Sequence, residues 1–335
     1  EFTQMGRASA DLEEIADDPS ALSTLIYTSG TTGNPKGVML SNWNTLSNVL
    51  CVQGVFELYP GDKNAAFLPW AHSFGSTFDL HWMIRMGVHI NLISDLTKIA
   101  DECIEIKPAA LLAVPRVWNK FYDRVNSQFE SATGVKKLFV GKAQKAAAKR
   151  IAKAGVECDA VAPSGFFDKL WDKLVWAKVR ARFGGNIRFC MSGAAALSPD
   201  VASFVQKVGF NCYEGYGLTE TSPVVSCNPI DDIRIETVGI PFKCNQVKLA
   251  DDGEILDKGE NVMLGYWNNE EETSKVLKDG WLYTGDIGKF ENNYLKITDR
   301  KKDILITPGG DNISPVKIES MLTSSEMIDQ AIVYG

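Results

Sequence analysis

Short apolar runs alternate with longer amphipathic segments over the first two thirds of the chain. The apolar runs predict β-strands over Leu25–Tyr27, Asn64–Leu68, Val88–Leu92, Ala109–Val114, Ile187–Met191 and Phe210–Tyr213. The intervening segments have helical patterns, and this alternation is typical of an α/β fold with a largely parallel sheet flanked by helices. Apolar β-formers also flank the loop between Tyr27 and Val38. They predict a strand–loop–strand hairpin, followed by a helix whose N-cap is Ser41 or Asn42.

The pattern changes at about Val238, where short β segments and turns replace the alternation. The turn sequences predict a smaller β-rich subdomain, and they are Asp251-Asp252-Gly253, Asp279-Gly280 and Asn292-Asn293. A charged stretch begins at Asp299, and beyond it the pattern predicts a helix from about Pro315 and a strand over Gln330–Tyr334.

These changes divide the chain into three parts. Residues 1–237 form the α/β part of a large domain, and residues 238–298 form its β-rich subdomain. Residues 299–335 hold a hinge and the start of a small α+β domain, which the chain leaves unfinished.

The composition is that of an ordinary globular protein, with 335 residues, 45% of them hydrophobic and 23% charged. A net charge of −7 argues against a nucleic-acid partner. No stretch approaches the roughly 20 apolar residues that span a bilayer, and no export signal pattern opens the chain, so a cytoplasmic location is expected. The spacing of the cysteines fits neither a zinc site nor a disulfide framework, which predicts buried reduced thiols at positions 51, 103, 158, 190, 212, 227 and 244.

Two segments carry a strongly basic face. The segment Val135–Ala154 has seven Lys or Arg and no acid. The segment Phe166–Arg182 predicts one apolar helical stripe with basic residues opposite, formed by Phe167, Leu170, Trp171, Leu174, Val175 and Val179. A peripheral contact with the inner membrane face or with anionic acyl donors would explain this charge. The favoured interpretation is an ordinary amphipathic hairpin with a solvated basic face.

The loop that begins at Thr28 has the composition of a polyphosphate-binding loop. Glycines let backbone N–H groups approach an anion, hydroxyls add donors, and Lys36 adds a mobile charge. The candidate phosphate-binding residues are Thr28, Ser29, Gly30, Thr31, Thr32, Gly33 and Lys36. A Walker loop needs Gly-Lys followed by Ser or Thr and then a helix, whereas Lys36 follows Pro35. An ordinary turn is the alternative for this segment.

The segment Tyr213–Thr221 is a second candidate for nucleotide contact. Small residues beside Tyr216 leave room for its ring to lie against a purine. Thr219 can donate to a phosphate oxygen, and Glu220 can hold Mg²⁺, which prefers oxygen ligands. The nucleotide-contact candidates in this segment are Glu214, Gly215, Tyr216, Gly217 and Thr219. Taken alone, the segment could be a strand end with a tight turn and a surface acid.

Three weaker motifs follow the same logic. Gly193 and Ala194, after a predicted strand, leave backbone groups free for an adenine edge, although close helix–strand packing is the alternative. Asp286 can accept both hydroxyls of a ribose, or it can cap a turn. The stretch Asp299–Lys302 can serve as a hinge, or it can be a solvated turn.

Together, in their order along the chain, the five motifs resemble the signature of the adenylate-forming enzymes. The resemblance implies that Tyr216, Asp286 and Arg300 hold adenosine, that Thr31 and Glu220 bind Mg²⁺, and that Lys302 lies at the hinge of a rotating C-terminal domain. The stretch Leu68–Phe74 resembles a further family motif, whose histidine, here His72, lies beside the carboxylate substrate. The catalytic residues that we expect are His72, Lys36, Thr219, Glu220 and Lys302.

Within that family, the chain is most similar to the bacterial long-chain acyl-CoA synthetases. The stretches Val114–Lys120, Asp172–Gly193 and Glu214–Pro223 carry the likeness. The upstream part of the family's large domain is absent, and so is the end of its small domain with the catalytic lysine. We therefore expect the 335-residue chain to be weakly active or inactive. Some relatives also have a lysine where this chain has Ile306.

The function implied by the resemblance is ATP-dependent activation of a fatty acid. Acyl-AMP forms with release of pyrophosphate, and CoA then takes the acyl group as a thioester. The expected partners are the fatty acid, ATP with Mg²⁺, and CoA. The sequence leaves the oligomeric state undecided. The alternatives are an enzyme that loads a carrier protein and a nucleotide-binding fragment without turnover.

Overall fold

The computed structural model describes residues 18–28, 35–154, 162–303, 305–306, 312–323, 328 and 331–334. Its strands are β1 (Leu22–Thr28), β2 (Lys36–Ser41), β3 (Lys63–Ala66), β4 (His89–Leu92), β5 (Ala110–Ala113), β6 (Phe189–Ser192), β7 (Cys212–Gly217), β8 (Val224–Cys227), β9 (Ile240–Pro241), β10 (Asn245–Leu249), β11 (Glu254–Gly259), β12 (Gly265–Tyr266), β13 (Leu277–Lys278), β14 (Trp281–Glu291), β15 (Tyr294–Arg300), β16 (Leu305–Ile306) and β17 (Asn312–Ile313).

The α-helices span Asn42–Gln53, Met83–Met86, Ile99–Ile106, Pro115–Glu130, Gly134–Ala154, Phe166–Trp171, Ala177–Ala181, Pro199–Val208, Glu270–Val276 and Pro315–Thr323. Two π-helical segments span Gly75–Trp82 and Asp172–Trp176, and two 3₁₀ turns span Leu96–Lys98 and Thr219–Thr221. Among the described residues, no helix is long and apolar enough to cross a bilayer.

A seven-stranded sheet in the order β4-β3-β5-β6-β7-β8-β9 forms the centre of the α/β part. The first five strands are parallel, and β8 and β9 run antiparallel to their neighbours. Side chains of β5 alternate between two cores, with Leu111 on one face and Leu112 on the other. Successive side chains of a strand point to opposite faces, so helices cover both faces of this sheet. The predicted α/β fold with a largely parallel sheet is confirmed.

The predicted hairpin is also confirmed. Strands β1 and β2 pair antiparallel, so that Thr28 lies opposite Lys36, and β12 adds a third strand on β2. The Ser41 hydroxyl accepts a hydrogen bond from the Asn44 amide at 3.1 Å, and the Asn44 side chain accepts one from the Ser41 amide at 2.8 Å. This reciprocal cap starts the helix Asn42–Gln53 at the position that the sequence indicated.

The β-rich part is a five-stranded antiparallel sheet. Strands β10, β11, β14 and β13 follow one another in that order, and β15 pairs with β14. All three predicted turns are present at 251–252, 279–280 and 292–293. The exact boundaries of the three proposed parts stay a prediction.

The cysteine prediction is wrong at one pair. Cys51 and Cys244 form a disulfide with their Cα atoms 6.5 Å apart. A sequence separation of 193 residues hides this pair from any spacing argument, because only the tertiary fold brings the end of the helix Asn42–Gln53 against the turn before β10. The free thiols of Cys103, Cys190 and Cys212 are buried, as is that of Cys227, and Cys158 lies outside the described residues.

Two other expectations need correction. Residues 331–334 are not a strand, because the Val333 amide donates to a Glu319 side-chain oxygen at 2.8 Å instead of to a neighbouring strand; Gln330 lies outside the described residues. The stripe predicted over Phe166–Arg182 is confirmed for its later members, which pack in or against the core, but the segment is not one uniform helix. The π-helical turn Asp172–Trp176 shifts its register, so that Phe167 is exposed while Trp176 is buried.

Candidate functional site

A cavity of about 940 Å³ lies where the central sheet, the β1–β2 hairpin and the β-rich sheet meet. Its floor includes the carboxyl ends of β6 and β7, where ligands bind in open α/β sheets. Its lining includes thirteen of the residues that the sequence analysis selected: Thr28, Lys36, His72, Gly193, Ala194, Gly215, Tyr216, Gly217, Thr219, Glu220, Asp286, Arg300 and Lys302. These residues come from positions far apart in the chain, so their convergence is a property of the fold.

Six predicted residues do not line the described cavity. Ser29, Gly30, Thr31, Thr32 and Gly33 lie outside the described residues. Glu214 is described but is not part of the lining. Its carboxylate is buried and accepts a hydrogen bond from the Leu197 amide at 3.2 Å, and burial raises its pKa to about 7. Glu214 therefore holds the chain that follows β6 instead of facing the pocket.

Lys36 lies at the start of β2 and reaches into the pocket. Its ammonium group pairs with the Glu272 carboxylate and lies 5.1 Å from the ring centroid of Tyr266. The backbone fixes this geometry, because the Trp267 amide donates to the Gly37 carbonyl at 2.7 Å and β12 pairs with β2. The charged end of the predicted phosphate-binding hairpin is thus held in place by β12 and the helix that follows it.

Thr219 and Glu220 lie on a 3₁₀ turn that a buried asparagine supports. The Asn48 amide group donates to the Thr221 carbonyl at 3.1 Å and accepts from the Val224 amide at 2.8 Å. Both bonds fix the turn at its C-terminal side. The Tyr266 hydroxyl donates to Glu220 Oε1 at 2.8 Å, and burial followed by the charge of Glu220 raises the pKa of that tyrosine.

Glu220 offers carboxylate oxygen beside the threonine hydroxyls of the pocket. Mg²⁺ is usually held by one or two carboxylates together with the oxygens of a bound phosphate group. No cluster of three or more His, Cys, Asp or Glu exists among the described residues. The Glu220 carboxylate, which lines the cavity, is a ligand of the kind that Mg²⁺ takes when it binds with a nucleotide.

Tyr216, Asp286 and Arg300 form a connected group that also lines the cavity. The Tyr216 hydroxyl donates to Asp286 Oδ2 at 2.8 Å, and Arg300 Nε lies 3.2 Å from Asp286 Oδ1. Burial raises the pKa of Asp286, although Tyr216 and Arg300 oppose that shift. Burial also raises the pKa of Tyr216, so its hydroxyl stays a donor. The group presents an aromatic ring, a carboxylate and a guanidinium to the same cavity.

Glycines of β7 let the backbone of the β8 region approach closely at the floor of the cavity. A Cβ atom on Gly217 would lie 1.6 Å from the Pro223 carbonyl oxygen, so only glycine fits there. A Cβ on Gly215 would lie 3.4 Å from the Ser226 carbonyl oxygen. Ala194 has a φ of +71°, a left-handed conformation that is uncommon for a residue with a side chain and is often found at functional sites.

His72 is exposed and lines the cavity, and so do several apolar side chains. Phe74, Phe78 and Val52 are part of this lining. The Ser76 amide donates to the His72 carbonyl at 2.9 Å, which joins the histidine to the π-helical segment Gly75–Trp82. His72 is therefore a cavity-lining residue whose backbone is joined to this segment.

Lys302 lies in the turn that follows β15. The preceding residue, Lys301, contacts Asp252 at 2.6 Å and Glu254 at 2.8 Å, and its amide donates to the Gly285 carbonyl at 2.8 Å. Glu254 also accepts from the Gly285 amide at 2.8 Å. These bonds fix the residue before the proposed hinge to the strand that carries Asp286.

Several charged and aromatic residues that line the cavity were not selected from the sequence, and they include Glu254, Tyr266 and Glu272. Glu272 is one of three consecutive acids, and nothing local distinguishes it from its neighbours. The nearest sequence signal was Asn269, whose side chain accepts from the Glu272 amide at 3.1 Å as the N-cap of a helix. That cap could have predicted the helix but not its contact with Lys36.

Comparisons with known proteins agree with this geometry. The family model for AMP-binding enzymes matches residues 2–267. The long-chain-fatty-acid–CoA ligase FadD15 of Mycobacterium bovis is 36% identical, and the match covers 100% of this chain and 56% of that protein. Human long-chain-fatty-acid–CoA ligase 1 is 35% identical over 95% of this chain and 46% of its own length. The chain thus spans about half the length of the curated relatives that it matches.

Solved structures share the fold. ATP-bound MatB from Rhodopseudomonas palustris has a TM-score of 0.70 and 25% sequence identity, and the match covers 96% of this chain and 57% of MatB. O-succinylbenzoate CoA synthetase from Bacillus subtilis, in complex with AMP, has a TM-score of 0.72 at 22% identity, with 95% and 57% covered. The fold predicted from the motifs is confirmed. On the extent of the family match, the chain belongs to the AMP-binding enzymes, the adenylate-forming family.

Proposed function

We propose that the full-length protein activates a fatty acid with ATP to form acyl-AMP and pyrophosphate, and then transfers the acyl group to CoA. The observation that carries this proposal is the single cavity in which Tyr216, Asp286, Lys36, Glu220 and His72 converge. The relatives named as long-chain-fatty-acid–CoA ligases support a long-chain acid as substrate and CoA as acceptor. They favour CoA over a carrier protein.

The adenosine would bind between the floor and the β-rich sheet. The Tyr216 ring would lie against the purine, and Asp286 would accept the ribose hydroxyls. Arg300, already paired with Asp286 at 3.2 Å, opposes the rise that burial causes in the pKa of that carboxyl.

The polyphosphate would extend toward the hairpin. Lys36, Thr28 and Thr219 would donate to phosphate oxygens, and residues 29–33 of the same loop would add backbone donors. Glu220 and Thr31 would hold Mg²⁺, which neutralises charge on the transferring phosphate when it is bound. Cations and donors aimed at the developing charge lower the barrier for attack by the carboxylate.

The acid would lie in the apolar half of the cavity with its carboxylate beside His72. Lys302 would be the hinge, because it follows a residue that is fixed to the β-rich sheet. Rotation of the C-terminal domain about this hinge would change which residues of that domain face the pocket, and it would admit the CoA thiol. A cytoplasmic location stays a prediction. Contact of the basic helix Gly134–Ala154 with a membrane stays the less favoured alternative to a solvated face, and an oligomer stays open.

The test is ATP–pyrophosphate exchange by the full-length protein over acids from acetate to palmitate. We expect Glu220→Gln to lower the exchange rate by about 10²-fold or more, with a smaller loss of ATP binding, because a metal ligand acts mainly on the transition state. Glu130→Gln, an exposed acid outside the cavity, is the matched control. ATP binding without exchange by the unaltered protein would instead favour a non-catalytic nucleotide-binding protein. Normal exchange by Glu220→Gln would refute the role of Glu220.

A further inference from the structure

An ion-pair network joins the lysine of the hairpin to an acidic helix at the edge of the cavity. Lys36 donates to Glu272 Oε2, while Lys275 Nζ lies 2.6 Å from Glu272 Oε1. The side chains of Lys36 and Glu272 are only 11% and 21% exposed. Both oxygens of the Glu272 carboxylate therefore bind cations, and one of these cations is the lysine that we assign to the polyphosphate.

The same lysine is linked to Glu220 through an aromatic ring. Lys36 Nζ lies 5.1 Å from the Tyr266 ring centroid, and the Tyr266 hydroxyl donates to Glu220 Oε1 at 2.8 Å. Glu272 and Glu220 thus bind opposite ends of one Lys36–Tyr266 unit. A change at Glu272 acts on the ammonium group first, without touching the carboxylate proposed to hold Mg²⁺.

The position of Glu272 is built into the backbone. Its amide donates to the Asn269 side chain at 3.1 Å, the cap of the helix Glu270–Val276. Thr273, the next residue, donates through its hydroxyl to the Asn269 carbonyl at 2.8 Å and accepts from the Tyr266 amide at 2.9 Å. The helix is therefore fixed to β12, and β12 is paired with β2, the strand of Lys36.

We propose that Glu272 is the counterion with which the polyphosphate of the nucleotide competes for Lys36, and that it thereby sets how tightly the pocket binds a nucleoside triphosphate. This inference rests on the proposed function, because it takes the pocket to bind ATP. The Glu272 carboxylate neutralises part of the Lys36 charge and repels an approaching phosphate group. A nucleotide with three phosphates is affected more than AMP, whose single phosphate lies nearer the adenosine-binding group.

The experiment compares Glu272→Gln with Glu271→Gln in the full-length protein. Glu271 is adjacent, its side chain is 82% exposed, and it binds Lys275 at 2.8 Å without reaching Lys36. We expect Glu272→Gln to lower the KM and the Kd for ATP by about fivefold, as removal of one competing charge at a partly exposed pair would do. The Kd for AMP and the kcat should change by less than about twofold on the same reasoning. Glu271→Gln should match the unaltered protein.

Salt separates a charge effect from a structural one. The difference in ATP affinity between Glu272→Gln and the unaltered protein should shrink at 1 M KCl, where the Debye length falls to about 3 Å. Weaker ATP binding by Glu272→Gln would overturn the proposal, because Glu272 would then hold Lys36 in its productive position. Equal affinities at low salt would also overturn it. If the unaltered protein binds no ATP, the proposed function itself fails.

Discussion

At the scale of single residues, Asp286 joins an aromatic hydroxyl and a guanidinium in the part of the cavity that we propose for adenosine. It accepts from the Tyr216 hydroxyl at 2.8 Å and pairs with Arg300 at 3.2 Å while being 4% exposed. A buried carboxylate is costly unless donors and cations surround it, and here both are present. Tyr216 lies on β7 of the central sheet, and Arg300 ends β15 of the β-rich sheet. The environment of this carboxylate therefore requires both sheets.

We predict that Asp286→Asn weakens binding of both AMP and ATP by about tenfold or more, since hydrogen bonds to a charged group are worth roughly 1.5–3 kcal/mol. Tyr216→Phe removes only the hydroxyl that donates to Asp286, so a smaller loss is expected. Isothermal titration of both nucleotides provides the measurement. Equal loss for AMP and ATP distinguishes this site from Glu272, whose effect is confined to the triphosphate. An unchanged AMP affinity in Asp286→Asn would remove Asp286 from the site.

At the scale of elements, the π-helical segment Gly75–Trp82 fixes the loop of His72 through a buried carboxylate. Asp79 is fully buried and accepts from the Leu68 amide at 3.3 Å and from the Asn64 side chain at 3.3 Å. Burial raises its pKa to about 7. The loop that carries His72 therefore begins at a residue held by this carboxylate.

This burial predicts a pH dependence of stability. In the unfolded chain Asp79 loses its proton near pH 4, whereas in the folded protein it keeps the proton to about pH 7. The folded state binds more protons in this window, so the contribution of Asp79 to the free energy of unfolding falls as the pH rises from 4 to 7. We expect Asp79→Asn to reduce the fall in the free energy of unfolding between pH 4 and pH 7 by up to a few kcal/mol.

The measurement is urea unfolding of the full-length protein at pH 5 and pH 8. Asp101→Asn, an exposed residue of the helix Ile99–Ile106, is the control and should follow the unaltered protein. A pH dependence in Asp79→Asn as steep as that of the unaltered protein would contradict the assignment. The Asn64 side-chain oxygen has no hydrogen-bond partner among the described residues, so an amide at position 79 has an acceptor within reach.

Elements set by local sequence could be predicted, and elements set by distant contacts could not. The hairpin, the Ser41 cap and the alternation of strands and helices follow from turn chemistry and from side-chain periodicity over a few residues. The contact of Lys36 with Glu272 spans 236 residues, and no local pattern indicates it. The register shift at Asp172–Trp176 likewise depends on packing, because the Trp176 ring donates to the Ala143 carbonyl at 3.2 Å on a neighbouring helix.

At the scale of the whole molecule, the cavity has walls from three sheets. The hairpin contributes Lys36, the central sheet contributes Tyr216, and the β-rich sheet contributes Asp286. These three residues are far apart in sequence and lie on different sheets. The site therefore exists only when the sheets pack against one another. The motifs could be read singly from the sequence because each lies on one element. Their shared cavity could not, because it depends on how the sheets pack.

This arrangement predicts that a bound nucleotide protects separate parts of the chain together. Binding to the folded state alone adds about 2.7 kcal/mol of stability at a free nucleotide concentration of 100 times the Kd. Openings that separate the sheets should then be rarer by about 10²-fold. Amide hydrogen exchange of the full-length protein, with and without Mg²⁺ and a non-hydrolysable ATP analogue, should therefore slow in both β2 and β14. The helix Pro115–Glu130, none of whose residues lines the cavity, is the internal control. Its amides can exchange through local openings that do not separate the sheets, so the nucleotide should slow their exchange less. Protection confined to one sheet would show that the nucleotide does not bridge them, and that the cavity seen here is divided when the ligand binds.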